Sequence, residues 1–111
     1  MRLALRNAQY LNREVFLVLE IGNHSGIDFE LEFLKLFKVN GNNSRKSSFQ
    51  RIEMIPIYVH AYPSLVNNNS KRCFVYVLPK FTLGYSETLL FELEEKRGSR
   101  NIRLGLRKIV F

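Results

Sequence analysis

The sequence predicts an all-β fold, an immunoglobulin-like antiparallel β-sandwich of about seven strands. Three observations carry that expectation. Apolar residues recur at every second position through most of the chain, and no helical period of useful length interrupts them. Polar stretches rich in Asn, Gly and Ser break the alternation at intervals suited to short strands. The chain has 111 residues, 46% of them hydrophobic, which makes one domain over residues 1–111. A domain of that size buries roughly 65% of the surface its unfolded form exposes, enough for a core of its own.

Taken in order, a short strand is expected near residues 3–5. A long strand then sets Val15, Leu17, Leu19 and Ile21 on one face. GNHSG, residues 22–26, reads as a tight connection to a strand with Ile27, Phe29, Leu31 and Phe33 on one face and Asp28, Glu30 and Glu32 on the other. Were these two strands paired as a hairpin, Glu20 would oppose Asp28, an unfavourable like-charge contact; separate sheets would remove it. The stretch from Glu20 to Glu32 holds four acids and no base, so an electrically uneven surface is expected. Around Phe33 the phase slips to Leu34 and Leu36, as a β-bulge or a strand buried on both faces would require.

Residues 39–49, VNGNNSRKSSF, form a polar loop opening on the turn signal Asn40-Gly41. In the following RIEMIPIYVHAY, Pro56 has no N–H to give a ladder, so this segment belongs at a sheet edge or a bulge. A second polar loop, PSLVNNNSKR, leads into CFVYVL, where the single cysteine, Cys73, is expected as a small buried residue. The last two strands have a register legible in the sequence. With Leu89, Phe91 and Leu93 facing the core, they oppose Leu106, Leu104 and Ile102, and Glu92 faces Arg103. Arg97-Gly98 is left as a two-residue turn, although the positive φ of a primed turn would strain Arg97; a bulged loop is the alternative.

No chemistry-bearing constellation emerges. His24 and His60 lack a second ligand at metal spacing, and one cysteine cannot form a thiolate cluster or an internal disulfide. The six glycines form no phosphate-cradling loop. No enzymatic activity, cofactor, metal or small-molecule substrate is read from the sequence. Asn42-Asn43-Ser44 and Asn68-Asn69-Ser70 match the glycosylation pattern but read equally as polar turns. Tyr58, Tyr62, Phe74 and Tyr76 are core candidates first and stacking platforms for a single strand second. The net charge of +7 is scattered along the chain and favours anionic partners in general. The longest purely apolar run has five residues, 15–19, too few to span a bilayer as a helix. MRLALRNAQYLNREVF has neither an apolar h-region nor a cleavage site, so it reads as a cytosolic start or as a domain parted from an upstream signal.

Four segments in order carry a family resemblance. NHSGIDFELEFLKLF supplies Asn23, Ser25, Ile27, Asp28 and Phe29; SRKSSFQRIEMIPIYVH supplies Arg45, Lys46, Ser47 and Gln50; LPKFT spans residues 78–82; EKRGSRNIRL supplies Glu95, Lys96, Gly98 and Arg100. Together, over residues 15–110, they resemble the C-terminal domain of the TraN proteins encoded by Bacteroides-type conjugative transposons. The sequence departs from that pattern at Arg97, where the family has a turn Asn, and at Arg51, where an acid is common. Family members have a signal sequence and an upstream domain, so the chain resembles the C-terminal module alone or a shortened relative.

The resemblance implies a non-enzymatic structural component of a conjugative, type IV secretion channel, in the periplasm or associated with the outer membrane. Its partners would be other channel proteins, a small lipoprotein among them, with strand addition at an exposed edge as one binding mode. Contact with the membrane would be indirect. Arg45, Lys46, Gln50, Lys80, Lys96 and Arg100 are the candidate partner-binding residues, with Lys80, Lys96 and Arg100 expected on one stiff docking surface. The alternative is a basic β-sandwich that binds single-stranded nucleic acid, which counterion release would make steeply salt-dependent.

Overall fold

The computed structural model describes residues 1–40 and 50–106. The fold is all-β and every strand pair is antiparallel. Ten strands occur among the described residues, against the seven or so expected, because irregular segments add short ones.

Sheet I has the order β1-β2-β8-β6, formed by β1 (Arg2–Leu11), β2 (Glu14–Asn23), β8 (Ser70–Pro79) and β6 (Tyr58–His60). Sheet II has the order β10-β9-β4-β5, formed by β10 (Asn101–Leu106), β9 (Glu87–Glu94), β4 (Lys35–Asn40) and β5 (Gln50–Glu53). β3 (Phe29–Glu30) and β7 (Leu65–Val66) pair as a small third sheet at one end. One apolar cluster joins the inner faces of the two larger sheets. The chain crosses between them from β2 to β4, from β5 to β6 and from β8 to β9, in the manner of an immunoglobulin-like sandwich.

Alternation explains the core. Val15, Leu17, Leu19 and Ile21 are buried along β2, and Leu89, Phe91 and Leu93 along β9. Phe29, Phe74 and Phe91 are the largest fully buried side chains, each contributing roughly 1.5–3 kcal/mol by leaving water. The β9–β10 register places Leu106, Leu104 and Ile102 against Leu89, Phe91 and Leu93, and Arg103 against Glu92, as expected.

Several expectations need correction. The N-terminal strand runs over ten residues rather than near 3–5. It turns into β2 through Asn12 and Arg13, both with positive φ (52° and 64°), the conformation a tight primed hairpin requires. Arg6 is a bulge residue, and the shift it causes moves the inward set from Leu3 to Ala8. The expected strand with four inward residues over 27–33 shortens to β3. Phe29 and Leu31 are buried there, but Ile27 and Phe33 are 62% and 80% exposed. The phase slip has the one-residue offset of a bulge: Leu31 bridges Glu95 and Lys35 faces Glu92, so four steps on this strand meet three on β9, and Leu34 and Leu36 join the core through sheet II.

Glu20 does not meet Asp28, because β2 pairs with β1 and β8; Glu20 stands opposite Ala4 and Cys73. Cys73 is exposed rather than buried, since alternation along β8 sends Phe74, Tyr76 and Leu78 inward and leaves Cys73 and Val75 on the other face. The loop over residues 63–72 contains β7, whose Val66 is fully buried. Pro56 lies between β5 and β6, the edge strands of the two sheets, where its missing N–H costs no ladder bond. The pattern at residues 42–44 lies outside the described residues.

Two tyrosines pin the crossover from β3 to β4. Tyr76 donates to the Leu34 carbonyl (3.1 Å) and Tyr62 to the Glu32 carbonyl. Burial pushes the Tyr76 hydroxyl up to about 12 and raises that of Tyr62 as well, so both remain neutral donors. Tyr62, Phe74 and Tyr76 pack edge to face, with centroids 5.2–6.2 Å apart. Phe74 and Tyr76 are therefore core residues, and Tyr58, 57% exposed on β6, is the outward member of the four candidate stacking aromatics.

Candidate interaction surfaces

One end of the sandwich is closed by polar residues. Asn23 ends β2 and is completely buried. Its amide donates to the Ile27 carbonyl (2.8 Å) and the Val66 carbonyl (2.9 Å), and its Oδ1 accepts from the Ser25 amide (3.0 Å) and hydroxyl (2.7 Å). All the hydrogen-bonding capacity of this side chain is used, as burial of an amide demands. Asn68 joins the cluster: its Oδ1 accepts from the Gly26 amide (2.9 Å), and its own amide donates to Asp28 Oδ1 (2.8 Å). Asn68, the acceptor position of the second glycosylation pattern, is thus committed to a turn.

Arg100 ties the last hairpin to this cluster. Its guanidinium donates to Ser25 Oγ (2.9 Å), to the Asp28 carbonyl (2.8 Å) and to the Glu95 carboxylate, and lies 4.9 Å from the centre of the Phe29 ring. The hydrogen bond from Arg100 holds the Glu95 carboxyl below the usual carboxylate range, and the same bond raises Arg100. The hairpin turn differs from the expected one. Gly98 donates to the Glu95 carbonyl (3.4 Å), which centres the turn on Lys96 and Arg97 rather than on Arg97 and Gly98. Arg97 takes a φ of 58°. A Cβ at Gly98 would lie 2.1 Å from Glu95 Oε1, so a side chain there would have to displace the Glu95 carboxylate.

The two outer faces differ. Sheet I presents Leu11, Phe16, Val18, Val75 and Tyr58 in adjoining rows, with Val77 buried among them. A shallow hollow of about 320 Å³ runs over Phe16, Val18 and Val75, walled by Asn7, Gln9 and Leu11. Its ion pair is Arg6 with Glu20 (2.7 Å), and the hydrogen bond from Arg6 lowers the Glu20 pKa. Sheet II instead presents charge: Glu92 pairs with Arg51 on one side and with Arg103 (3.0 Å) on the other.

The family model described as a domain of unknown function, DUF4138, matches residues 1–109. The chain belongs to this family. No curated protein and no solved structure matches it.

In this DUF4138 chain the candidate partner-binding residues do not form one surface. Lys80 follows β8, with its amide bonded to the Arg13 carbonyl (3.1 Å) and its ammonium 5.7 Å from the Tyr10 ring. Lys96 and Arg100 stand at the opposite end of β2, roughly 30 Å away for a strand of this length. Lys96 is exposed, while Arg100 is half-buried and committed to Glu95 and the Asn23 cluster. Gln50 is exposed at the start of the edge strand β5. Arg45 and Lys46 lie outside the described residues.

The outer face of sheet I is not among the surfaces expected from the sequence. Its signal was present in EVFLVLE and CFVYVL, where the positions between the core residues are apolar as well. Among the described residues no group of three His, Cys, Asp or Glu side chains converges on a possible metal position.

Proposed function

We propose that this chain is a non-enzymatic binding module of a conjugative transfer apparatus of the type IV secretion kind, periplasmic or associated with the outer membrane, that holds other channel proteins. The resemblance of its four segments to the TraN C-terminal domain supports the reading. So does the use made of two of those segments: the residues of NHSGIDF and EKRGSR interlock around Asn23 and Arg100 to stiffen one end. A stiff body suits a protein that works by contact, because preorganised surface lowers the ordering cost of association.

The observation that carries the reading is the apolar outer face of sheet I, on which Phe16, Val18 and Val75 are only half-buried. Contiguous apolar surface of this kind marks contact with another protein. The channel partner is expected to cover this face. Capture of the tagged chain from a donor-cell envelope should bring down other transfer proteins identifiable by mass spectrometry. The double variant Val18→Thr, Val75→Thr, which keeps the β-branched shape, should lose them. Recovery of no transfer protein would reject the module, and undiminished capture by the double variant would reject this face.

A further inference from the structure

Two arginines of this chain are seated alike. Arg51 lies 4.1 Å from the centre of the Phe37 ring and pairs with Glu92. Arg100 lies 4.9 Å from the centre of the Phe29 ring and pairs with Glu95. In each, a guanidinium covers an aromatic face while its N–H groups meet a carboxylate, an arrangement a planar delocalised cation satisfies better than an ammonium.

A third phenylalanine is set among carboxylates and, among the described residues, has no arginine over its ring. Phe33 is 80% exposed, backed on one side by the stacked Tyr62 ring at 6.5 Å. It lines a groove of about 620 Å³ together with Glu32 and Glu94, which are neighbours because the Glu32 amide donates to the Glu94 carbonyl (3.0 Å). Among the described residues no basic group lies within 4 Å of either carboxylate, and Glu92 in the same groove is already shared by Arg51 and Arg103. Lys35 also lines the groove and is in no ion pair among the described residues. Although the chain carries +7, this groove holds two carboxylates in no ion pair among the described residues, Glu32 and Glu94, against one such cation, Lys35, which leaves room for a further base.

We propose that this groove binds an arginine side chain presented by an extended segment of a partner protein, with the guanidinium stacked on Phe33 and bonded to Glu32 and Glu94. The two internal arrangements show the chemistry the site would complete. The proposal does not depend on conjugation as the context, nor on the outer face of sheet I.

The test is a titration of the isotope-labelled full chain with a short blocked peptide, Gly-Ser-Arg-Ser-Gly, followed by NMR at low ionic strength. Saturable shifts are expected at residues 32–35 and 93–95. Replacing the peptide arginine by lysine should weaken binding about threefold and by citrulline about tenfold, since the first removes the planar fork and the second the charge. Phe33→Ala and Glu94→Gln should each weaken the arginine peptide roughly three- to tenfold. Both positions are exposed, so the spectra of the variants should otherwise be unchanged. Equal binding of the citrulline peptide, or of the wild-type chain and Phe33→Ala, would overturn the proposal. Concentration-dependent shifts in the groove without peptide would make a second copy the occupant and overturn it equally.

Discussion

The closed end around Asn23 and the outer face of sheet I invert the usual distribution of polarity. At the closed end, an amide and an arginine are drawn inward and their hydrogen-bonding groups are committed to the fold. On the outer face, Phe16, Val18 and Val75 remain partly exposed. Polar residues build the closed end, and apolar ones lie on the outer face. Side-chain chemistry alone therefore does not say which residues hold the fold and which are available to a partner.

The strongest way to break the contrast is to substitute once in each region. Asn23→Ala strands the buried Val66 carbonyl, whereas the Ile27 carbonyl and the Ser25 donors lie near solvent, so it should cost roughly 1–3 kcal/mol, the figure for one abandoned buried group. Val18→Thr should cost under about 1 kcal/mol, because an outward strand position spans no more than that. Urea unfolding of both variants decides the matter. Comparable losses would mean that the face is as structural as the end.

Much of this fold is legible in alternation. The inward residues of β2 and the register of the last hairpin follow from the period of two, because a register slip of one would turn an entire apolar set to water. The path of the chain where it changes sheets is not legible. Residues 27–36 read as one strand that loses phase, and the slip is one extra residue between Leu31 and Lys35 against β9; that β7 takes Phe29 and Glu30 as partners is not shown by the period. The site was legible in part. Arg100 and Asn23 stand out as motif residues, yet their use as internal ties depends on Ser25, Asp28 and Val66 arriving from distant strands. Cys73 misled for a related reason: a small residue in an apolar run gives no sign of its face, and the residues on both sides of β8 are apolar.

The second comparison sharpens the electrostatics of the same two regions. Glu95 at the closed end and Glu20 on the outer face are each held below the ordinary carboxylate range, in both cases chiefly by a hydrogen bond from an arginine, Arg100 and Arg6. A carboxyl whose folded pKa is depressed adds stability that is fully present above its unfolded value, near 4.5, and is lost as pH falls through the folded value. Arg100→Gln removes that increment, so its penalty should be largest at neutral pH and shrink as the solution is acidified below about 4.5. Arg6→Gln should show the same sign with a smaller amplitude, because the Arg6 side chain is 49% exposed against 27% for Arg100 and solvent screens it more. Thermal melts from pH 7 down to pH 3 measure both, and a penalty for Arg100→Gln that is flat across that range would show that the Glu95 pair adds nothing beyond packing.

The smallest effect separates strain from fit within the hairpin that closes the end. Arg97 has a φ of 58° at the third position of a turn, where Gly or Asn is favoured and a long side chain is not. Arg97→Asn relieves that cost without touching Glu95 or Arg100 and should stabilise the chain by roughly 0.4–1 kcal/mol. Its neighbour behaves oppositely. A methyl group at Gly98 would collide with the Glu95 carboxylate and push it off Arg100, so Gly98→Ala should destabilise, by about 1–3 kcal/mol for a forced overpacking. If Arg97→Asn gave no gain while Gly98→Ala still cost stability, the hairpin would be limited by the Glu95–Arg100 tie alone, and the left-handed residue would be carried at no expense.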